Sequence, residues 1–456
     1  MKYLISVIIL LTGFHANAQN EDSILISKIA DEVLIRGTAY ENLRNLTKKV
    51  GSRLTASPGY YKAETWGQQA LRDAGADKVY LQECTVPHWV RGGKDEARYY
   101  AGNDTKGRSL DVLALGNSQG TGPKGISAPV ILVNSFEELE SRKDEVKGKI
   151  VFYNYKFNPR FVLTFQSYSD AVRYRGQGAA RASRYGAVAV LLRSMTHAAD
   201  NNPHTGGMNY NDSFPKIPAL AVGIQDADKL ATAITSSNTV KLFLKSNAKM
   251  LADTIAHNVI GELTGTEFPE QIITVGGHLD SWDPAEGAHD DGAGCVHSIE
   301  VLRALKAIGY RPKRTIRVVL FANEENGLKG GTKYAEEAKS KNEQHIFALE
   351  SDAGGFTPRS FGFSMSKERI EKVRTWLPLF APYLVWQFSE GGGGADIGPL
   401  NRTFGTPVAG LQPDSQRYFD IHHARSDVFE AVNKRELELG ALNMAALIYL
   451  VDKYGL

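Results

Sequence analysis

Two cysteines, Cys84 and Cys295, are all that 456 residues provide. A lone pair carries no spacing pattern of a disulfide framework, so whether the two pair stays open. Nor can two thiols build the closed, cysteine-rich shell that structural zinc favours. Cys295 follows Gly292-Ala293-Gly294 at the start of an expected helix and reads as a small buried residue. An excess of charge of one sign is missing too. The chain has 53 Lys and Arg against 51 Asp and Glu, a formal net charge of +2. That balance gives a long polyanion no basic stripe to follow, which excludes nucleic acid as a partner. Internal repeats are absent, and Gly391-Gly392-Gly393-Gly394 is the single low-complexity feature.

Long apolar runs are also scarce. The one that stands out is Tyr3 to Phe14, preceded by Met1-Lys2 and followed by Ala16-Asn17-Ala18. It is too short to span a bilayer, and its basic, apolar and small-residue order is that of a cleavable signal peptide. No cysteine follows the small residues, which argues against a lipid anchor. The expected mature chain starts at Gln19 and is periplasmic or secreted, with no membrane association. The remaining composition, 42% hydrophobic and 23% charged, is that of a globular protein. At roughly 150 residues per domain, the length implies two or three domains.

Helical apolar spacing runs from Ile24 to Val50, a turn is expected at Pro58-Gly59, and helical spacing resumes from Tyr61 to Leu71. A β-like stretch covers Lys78 to Val86. Between residues 110 and 250, short β-branched runs such as Val130-Ile131-Leu132-Val133 and Ile150-Val151-Phe152-Tyr153 sit among turn residues, with one helical segment at Ala171 to Tyr185. This block reads as a compact, inserted β-rich domain. From about Ala256, strands and helices alternate, which implies an α/β fold with a mostly parallel central sheet flanked by helices. The catalytic domain is therefore expected to comprise residues 19–109 and 251–456.

Ligands of open α/β sheets sit outside the carboxyl ends of the strands. Here the strand Ile272 to Val275 leads into His278-Leu279-Asp280, and Asp290-Asp291-Gly292 follow a loop. The strand ending at Phe321 leads into Glu324-Glu325, and the one ending at Glu350 leads into Asp352. Far along the chain lie His422-His423 and Asp427. Any one of these is bland alone, but charged groups rarely accumulate at successive buried strand ends without a purpose. Two histidines and three carboxylates suffice for two metals if one carboxylate bridges, and a fourth carboxylate is left as a base. Two metals roughly 3.5–4 Å apart hold a water and polarise a carbonyl, which suits amide hydrolysis. Gly116-Asn117-Ser118-Gln119-Gly120 matches a serine-nucleophile motif by letter, but Thr121-Gly122-Pro123 follows, and the strand-to-helix elbow is missing. The four glycines lack the Gly-Lys-Ser/Thr of a phosphate loop and read as a flexible substrate loop.

His278-Leu279-Asp280, Gly287-Ala288-His289-Asp290-Asp291-Gly292, Glu324-Glu325-Asn326-Gly327-Leu328 and His423 with Asp427 together resemble the co-catalytic zinc aminopeptidase/glutamate carboxypeptidase family. Pro87-His88-Trp89, Glu350-Ser351-Asp352-Ala353-Gly354, the four glycines with Asp396, and the doubled histidine are similar to its plasma glutamate carboxypeptidase (carboxypeptidase Q) branch. Upstream, Gly51-Ser52-Arg53-Leu54 and the helix carrying Gly67 to Leu71 are similar to the family's N-terminal segment, a weaker match. The inserted block looks like the family's protease-associated domain.

The resemblance implies a di-zinc exopeptidase acting on dipeptides or short unblocked peptides. Manganese or cobalt would also suit its ligands. His278 and Asp352 would bind one zinc, Glu325 and His423 the other, and Asp290 would bridge. Glu324 would be the general base, and Asp280 would hold the second nitrogen of His278. His422 stands where many relatives have Tyr: it is either a hydrogen-bond donor to the oxyanion or a packing residue. His289 reads as a loop donor, and Gly330-Gly331 stands where many relatives have Gly-Ser. A broader aminopeptidase is the rival enzyme, and an inactive peptide-binding ectodomain the rival from another class. Side-chain preference and homodimerisation are left open. Mass spectrometry of the exported protein is expected to find a chain beginning at Gln19; retention of Met1 would contradict the leader.

Overall fold

The computed structural model describes residues 21–237 and 239–456. The expected signal peptide, residues 1–18, lies outside the described residues. Among those described, no helix is long and apolar enough to cross a membrane.

The strand–helix alternation seen in the second half of the sequence becomes an eight-stranded sheet. Its strands in chain order are β1 (Lys78–Val90), β2 (Lys249–Leu263), β3 (Phe268–His278), β4 (Arg314–Phe321), β5 (Gln344–Glu350), β6 (Pro358–Ser364), β7 (Gln387–Glu390) and β8 (Val408–Pro413). In space the order is β1-β2-β4-β3-β5-β8-β6-β7. The expectation of a mostly parallel sheet is corrected: the sheet is mixed. The four central strands β4, β3, β5 and β8 run parallel, whereas β1 with β2, β2 with β4, and β6 with β8 are antiparallel. The edge pair β6 and β7 is parallel as well, joined by the crossover that a parallel pair needs; the sense of the antiparallel pairs depends on which strands meet, which no local apolar run shows.

Central strands buried on both faces are nearly continuous apolar runs, and from Ile316 to Phe321 only Arg317 departs from that rule. Two helices cover one face. Ala293–Ala307 packs on Lys434–Tyr454, in which every residue from Leu437 to Asp452 is buried. A helix apolar on all sides has to be enclosed. Glycine sets how closely the first of these helices approaches the strand ends. A Cβ on Gly294 would lie 1.9 Å from the Ser351 carbonyl oxygen, and one on Gly277 would lie 2.8 Å from the Gly294 carbonyl carbon. The segment expected to be a turn at Pro58-Gly59 is instead the first turn of the helix Pro58–Asp73, with Pro at a position that needs no N–H.

The chain leaves β1 at Val90, returns in β2 at Lys249, and builds a second eight-stranded sheet in between. Four of its strands, Ile126–Val133, Ile150–Tyr153, Ala189–Arg193 and Ala219–Val222, are parallel. The helices Phe136–Ser141 and Thr164–Ser183 fall between them in sequence. The block is thus α/β rather than simply β-rich. It also begins ahead of residue 110, because Glu96–Ala101 pairs with Val240–Lys245. Only Ala97 and Tyr99 are fully buried in that short strand, so its alternation is easily missed in the sequence.

Gly294→Ala is expected to cost about 1–3 kcal/mol by overpacking the strand–helix contact, measured by chemical denaturation against an exposed Ala substitution elsewhere.

Candidate metal centre

The sequence-predicted site residues gather beside the ends of the central parallel strands. His278 is the last residue of β3, Glu324 and Glu325 follow β4, and Asp352 follows β5. The connection after β8 turns through Tyr418–Ile421 into His422 and His423. Asp290 reaches the same point from the segment Ala288–Gly292 that enters the helix Ala293–Ala307. Two of the supporting residues adopt the left-handed backbone region, Asn323 at φ +62° and His423 at φ +61°. Such conformations collect at functional sites because the surrounding fold has to hold them.

Asp290 is the centre of the arrangement. Its Oδ1 lies 3.1 Å from His278 Nε2, and Asp352 Oδ1 lies 3.5 Å from that same nitrogen. Its Oδ2 lies 3.1 Å from His423 Nε2, and Glu325 Oε2 is also 3.1 Å from that nitrogen. Two donor trios therefore share one carboxylate, His278–Asp290–Asp352 and Asp290–His422–His423, and Glu325 joins the second through His423. Buried polar atoms are nearly always hydrogen-bonded, yet His278 Nε2, Asp290 Oδ2 and Glu325 Oε1 are buried without such a partner. Lone pairs converging without hydrogen-bond geometry fit divalent metal, and N/O donors of this kind suit zinc, manganese or cobalt.

The electrostatics agree. Burial, together with the repulsion of Asp290, pushes the Glu325 carboxyl up to about 7. Burial likewise holds Glu324 well above the usual carboxylate range, reinforced by Asp352 and Glu325. Burial opposes ionisation of Asp290, but the His278 and His423 imidazoles outweigh it and hold its carboxyl well below the usual range. Burial also works against a charged His423, and Glu325 and Asp290 overcome it, raising the imidazole to about 9. A cation at each trio would supply the positive charge that the imidazoles otherwise have to carry.

The supporting contacts correct one expectation. His278 Nδ1 meets the main-chain carbonyl of Asp280 at 3.0 Å, whereas the Asp280 carboxylate is 3.7 Å away, too far to hold the ring. That carboxylate instead accepts from the Glu324 N–H at 3.1 Å. Asp280 thus fixes His278 through its backbone and Glu324 through its side chain. His422 lies in the cleft wall, stacked on His423 with ring centroids 3.6 Å apart and its Nε2 3.6 Å from Asp290 Oδ2. Burial and the neighbouring His423 hold it well below the ordinary histidine value. His289 is a loop residue: its Nδ1 accepts from the Gly355 N–H.

Other supports stand within the quoted motifs, but the sequence gives no sign of what they hold. Asp291 accepts from the His278 and Gly294 N–H groups at 3.0 and 2.8 Å, tying strand end to helix start. Asp427 accepts from the His289 and Asp290 N–H groups at 2.7 and 3.1 Å. Arg53, fully buried, donates to the carbonyls of Leu279, Glu286 and Gly287 and so pins the loop between His278 and Asp290. The second sheet contributes as well. The Thr205 carbonyl faces His423 Nδ1 at 3.2 Å, and the Thr205 N–H donates to the His423 carbonyl at 3.0 Å. A metal-binding imidazole oriented through its other nitrogen is the usual arrangement. Here the orienting group is a backbone carbonyl more than two hundred residues away, invisible to side-chain reading. Together the two sheets enclose a cleft of about 390 Å³ over the carboxylates.

The sequence profile described as "Peptidase family M28" matches residues 258–448. Carboxypeptidase Q of Homo sapiens is 36% identical over 413 residues, covering 91% of this chain and 85% of that protein. The chain belongs to peptidase family M28. It is a metallopeptidase, and the resemblance read from its motifs is borne out. Carboxypeptidase Q of Xenopus laevis is 35% identical over 93% of this M28 chain and 89% of the relative. A solved structure described as a peptidase M28 precursor from Shewanella amazonensis superposes with a TM-score of 0.90 at 30% identity, covering 95% and 97% of the two chains. A zinc aminopeptidase from Bacillus subtilis, 21% identical with a TM-score of 0.64 over 91% and 95%, shares the fold.

Gly206→Ala is the sharpest test of the cross-sheet support. Gly206 has φ +131°, and a Cβ there would lie 2.4 Å from Arg175 Nη1 and 2.6 Å from His423 Nδ1. Metal affinity, read by competition with a chromogenic chelator, is expected to fall about 10- to 100-fold.

Proposed function

We propose that this M28 peptidase is an exported di-zinc exopeptidase that hydrolyses dipeptides or short unblocked peptides. The observation that carries the proposal is Asp290, whose two oxygens each lie 3.1 Å from a different histidine nitrogen, with Glu324 at the same strand ends. His278 and Asp352 would hold one zinc, Glu325 and His423 the other, and Asp290 both. Zinc bound there supplies Lewis acidity, which polarises a carbonyl and acidifies water.

The chain's own groups do the rest. Glu324 is held in place through its N–H by Asp280. Its carboxyl, raised by burial and by its acidic neighbours, takes up a proton readily. It accepts the proton of the attacking water and returns it to the leaving amine. His422, kept neutral by burial, has an N–H to offer the developing oxyanion. The residues inserted between Val90 and Lys249 form a protease-associated-type domain that walls the cleft. A cleft of about 390 Å³ is at the small end of ligand sites, in keeping with a short peptide. The aminopeptidase named among the relatives keeps the broader enzyme as second reading. A purely binding role would give Glu324 no task.

Glu324→Gln is expected to keep both metals while kcat falls about 10²- to 10⁴-fold. Metal content and turnover on a dipeptide panel, measured on the same preparation, check it; turnover like the wild type would remove Glu324 as base.

A further inference from the structure

A second cavity opens beside the metal centre, and the mechanism above leaves it unused. It encloses about 620 Å³, more than the cleft itself, and Phe165 and Asp352 line both, so the two join at a metal ligand. The four-glycine loop forms part of its wall through Gly393 and Gly394. Leu163, Phe165, Ala353, Trp386, Leu411 and Pro413 form its apolar lining. Its charged pair and its central polar groups satisfy one another. Arg359 donates to Asp414 at 3.2 Å and lies over the Trp386 ring at 5.3 Å, while Ser360 and Ser389 both donate to Gln412 Oε1. With Asp352 engaged by metal, no free counter-charge is left there for an ammonium group. The apolar surface also continues outward. Val162, whose carbonyl accepts from Gln416 of the cavity wall at 2.8 Å, is 80% exposed, and Leu163 and Trp386 are 57% and 53% exposed. Large apolar side chains left open together beside a site mark a binding surface.

We propose that this cavity takes the acyl chain of N-acylated amino acids, and that the metal centre hydrolyses their amide bond as a further activity. The inference goes beyond the unblocked peptides above and rests only on the hydrolytic centre it shares with them. An amide of a fatty acid and an amino acid has one apolar and one polar half. The cleft, with Asn117 and Asn209 in its wall, suits the amino acid, and the cavity suits the chain. A space of that size falls among the sites that hold whole small molecules, about 300–1,000 Å³, rather than one side chain. The chain would run from Asp352 past Leu411 and Ala353 to the mouth at Leu163 and Trp386. Water adds across the acyl amide bond: Glu324 takes its proton, the acyl carbon keeps the hydroxyl and leaves as a carboxylic acid, and the nitrogen leaves as the amine with the returned proton.

The test gives the full-length, zinc-loaded protein N-octanoyl-alanine, N-acetyl-alanine and alanyl-alanine, and records alanine release as kcat/KM. Leu163→Glu and Trp386→Ala, both at exposed positions, are assayed beside the wild type, with zinc content measured on each. Calorimetric titration with octanoate and with acetate reads the cavity without turnover. Each buried methylene contributes about fourfold, so the wild type is expected to prefer the octanoyl to the acetyl compound by about 100-fold or more. Each substitution is expected to lower that ratio about tenfold while zinc content holds, and Leu163→Glu to weaken octanoate binding. Equal handling of the two acyl compounds by the wild type overturns the proposal, as does a ratio that neither substitution moves. Cleavage of alanyl-alanine with neither acyl compound cleaved overturns it too and leaves the dipeptide reading standing. Cleavage of the octanoyl compound without alanyl-alanine supports it and refutes the dipeptide reading. A protein that cleaves none of the three refutes the activity and the dipeptide reading together, and the octanoate-to-acetate ratio then decides the cavity by itself.

Discussion

Everything in this protein is arranged around one electrostatic problem: Asp290, Glu324, Glu325 and Asp352 converge where solvent is largely excluded. Like charges so close cannot all ionise without compensating cations. The structure answers with geometry rather than with separation. Asp290 faces two histidines at equal distance, so one carboxylate meets two donor sets, and a divalent cation in each set would cancel the repulsion. The fold makes this affordable by supplying the groups from the ends of rigid parallel strands, with glycine at 277 and 294 letting the helix that follows Asp290 close against them.

That constraint also explains the depth of support behind the ligands. Asp280 fixes His278 through its carbonyl and Glu324 through its carboxylate. Asp291 and Asp427 brace the backbone on either side of Asp290, and Arg53 fastens the loop that carries it. The second sheet is part of the same scaffold, since Thr205 grips His423 through both of its backbone groups. A His423 held in this way depends on both parts of the chain, which would couple the inserted residues to metal binding as well as to the shape of the cleft.

How much of this the sequence shows follows from what kind of group does the work. His278, Asp290, Glu324, Glu325, Asp352 and His423 present side chains whose type and spacing announce them, and the structure gathers all six beside the strand ends. The parallel centre was legible for the same reason, in apolar runs such as Ile316 to Phe321. The strands β6, β7 and β8 were not, because they are short and β8 carries Gly410, whose absent Cβ lets the Gly393 carbonyl oxygen approach to 2.2 Å of where that atom would be. Thr205 acts through its backbone and leaves no side-chain pattern. Arg175 lies in a helix whose sequence is ordinary, and only the fold shows that its charge is buried beside His423. Asp280 was found, but the atom it uses toward His278 is the carbonyl, a distinction that no sequence carries.

The central claim is that Asp290 joins two metal sites into one. Anomalous diffraction at the zinc absorption edge, on crystals of the purified protein, tests it most directly. The account predicts two peaks, one against His278 and Asp352 and the other against Glu325 and His423, with the Asp290 carboxylate between them. A single peak, or peaks away from Asp290, would contradict it.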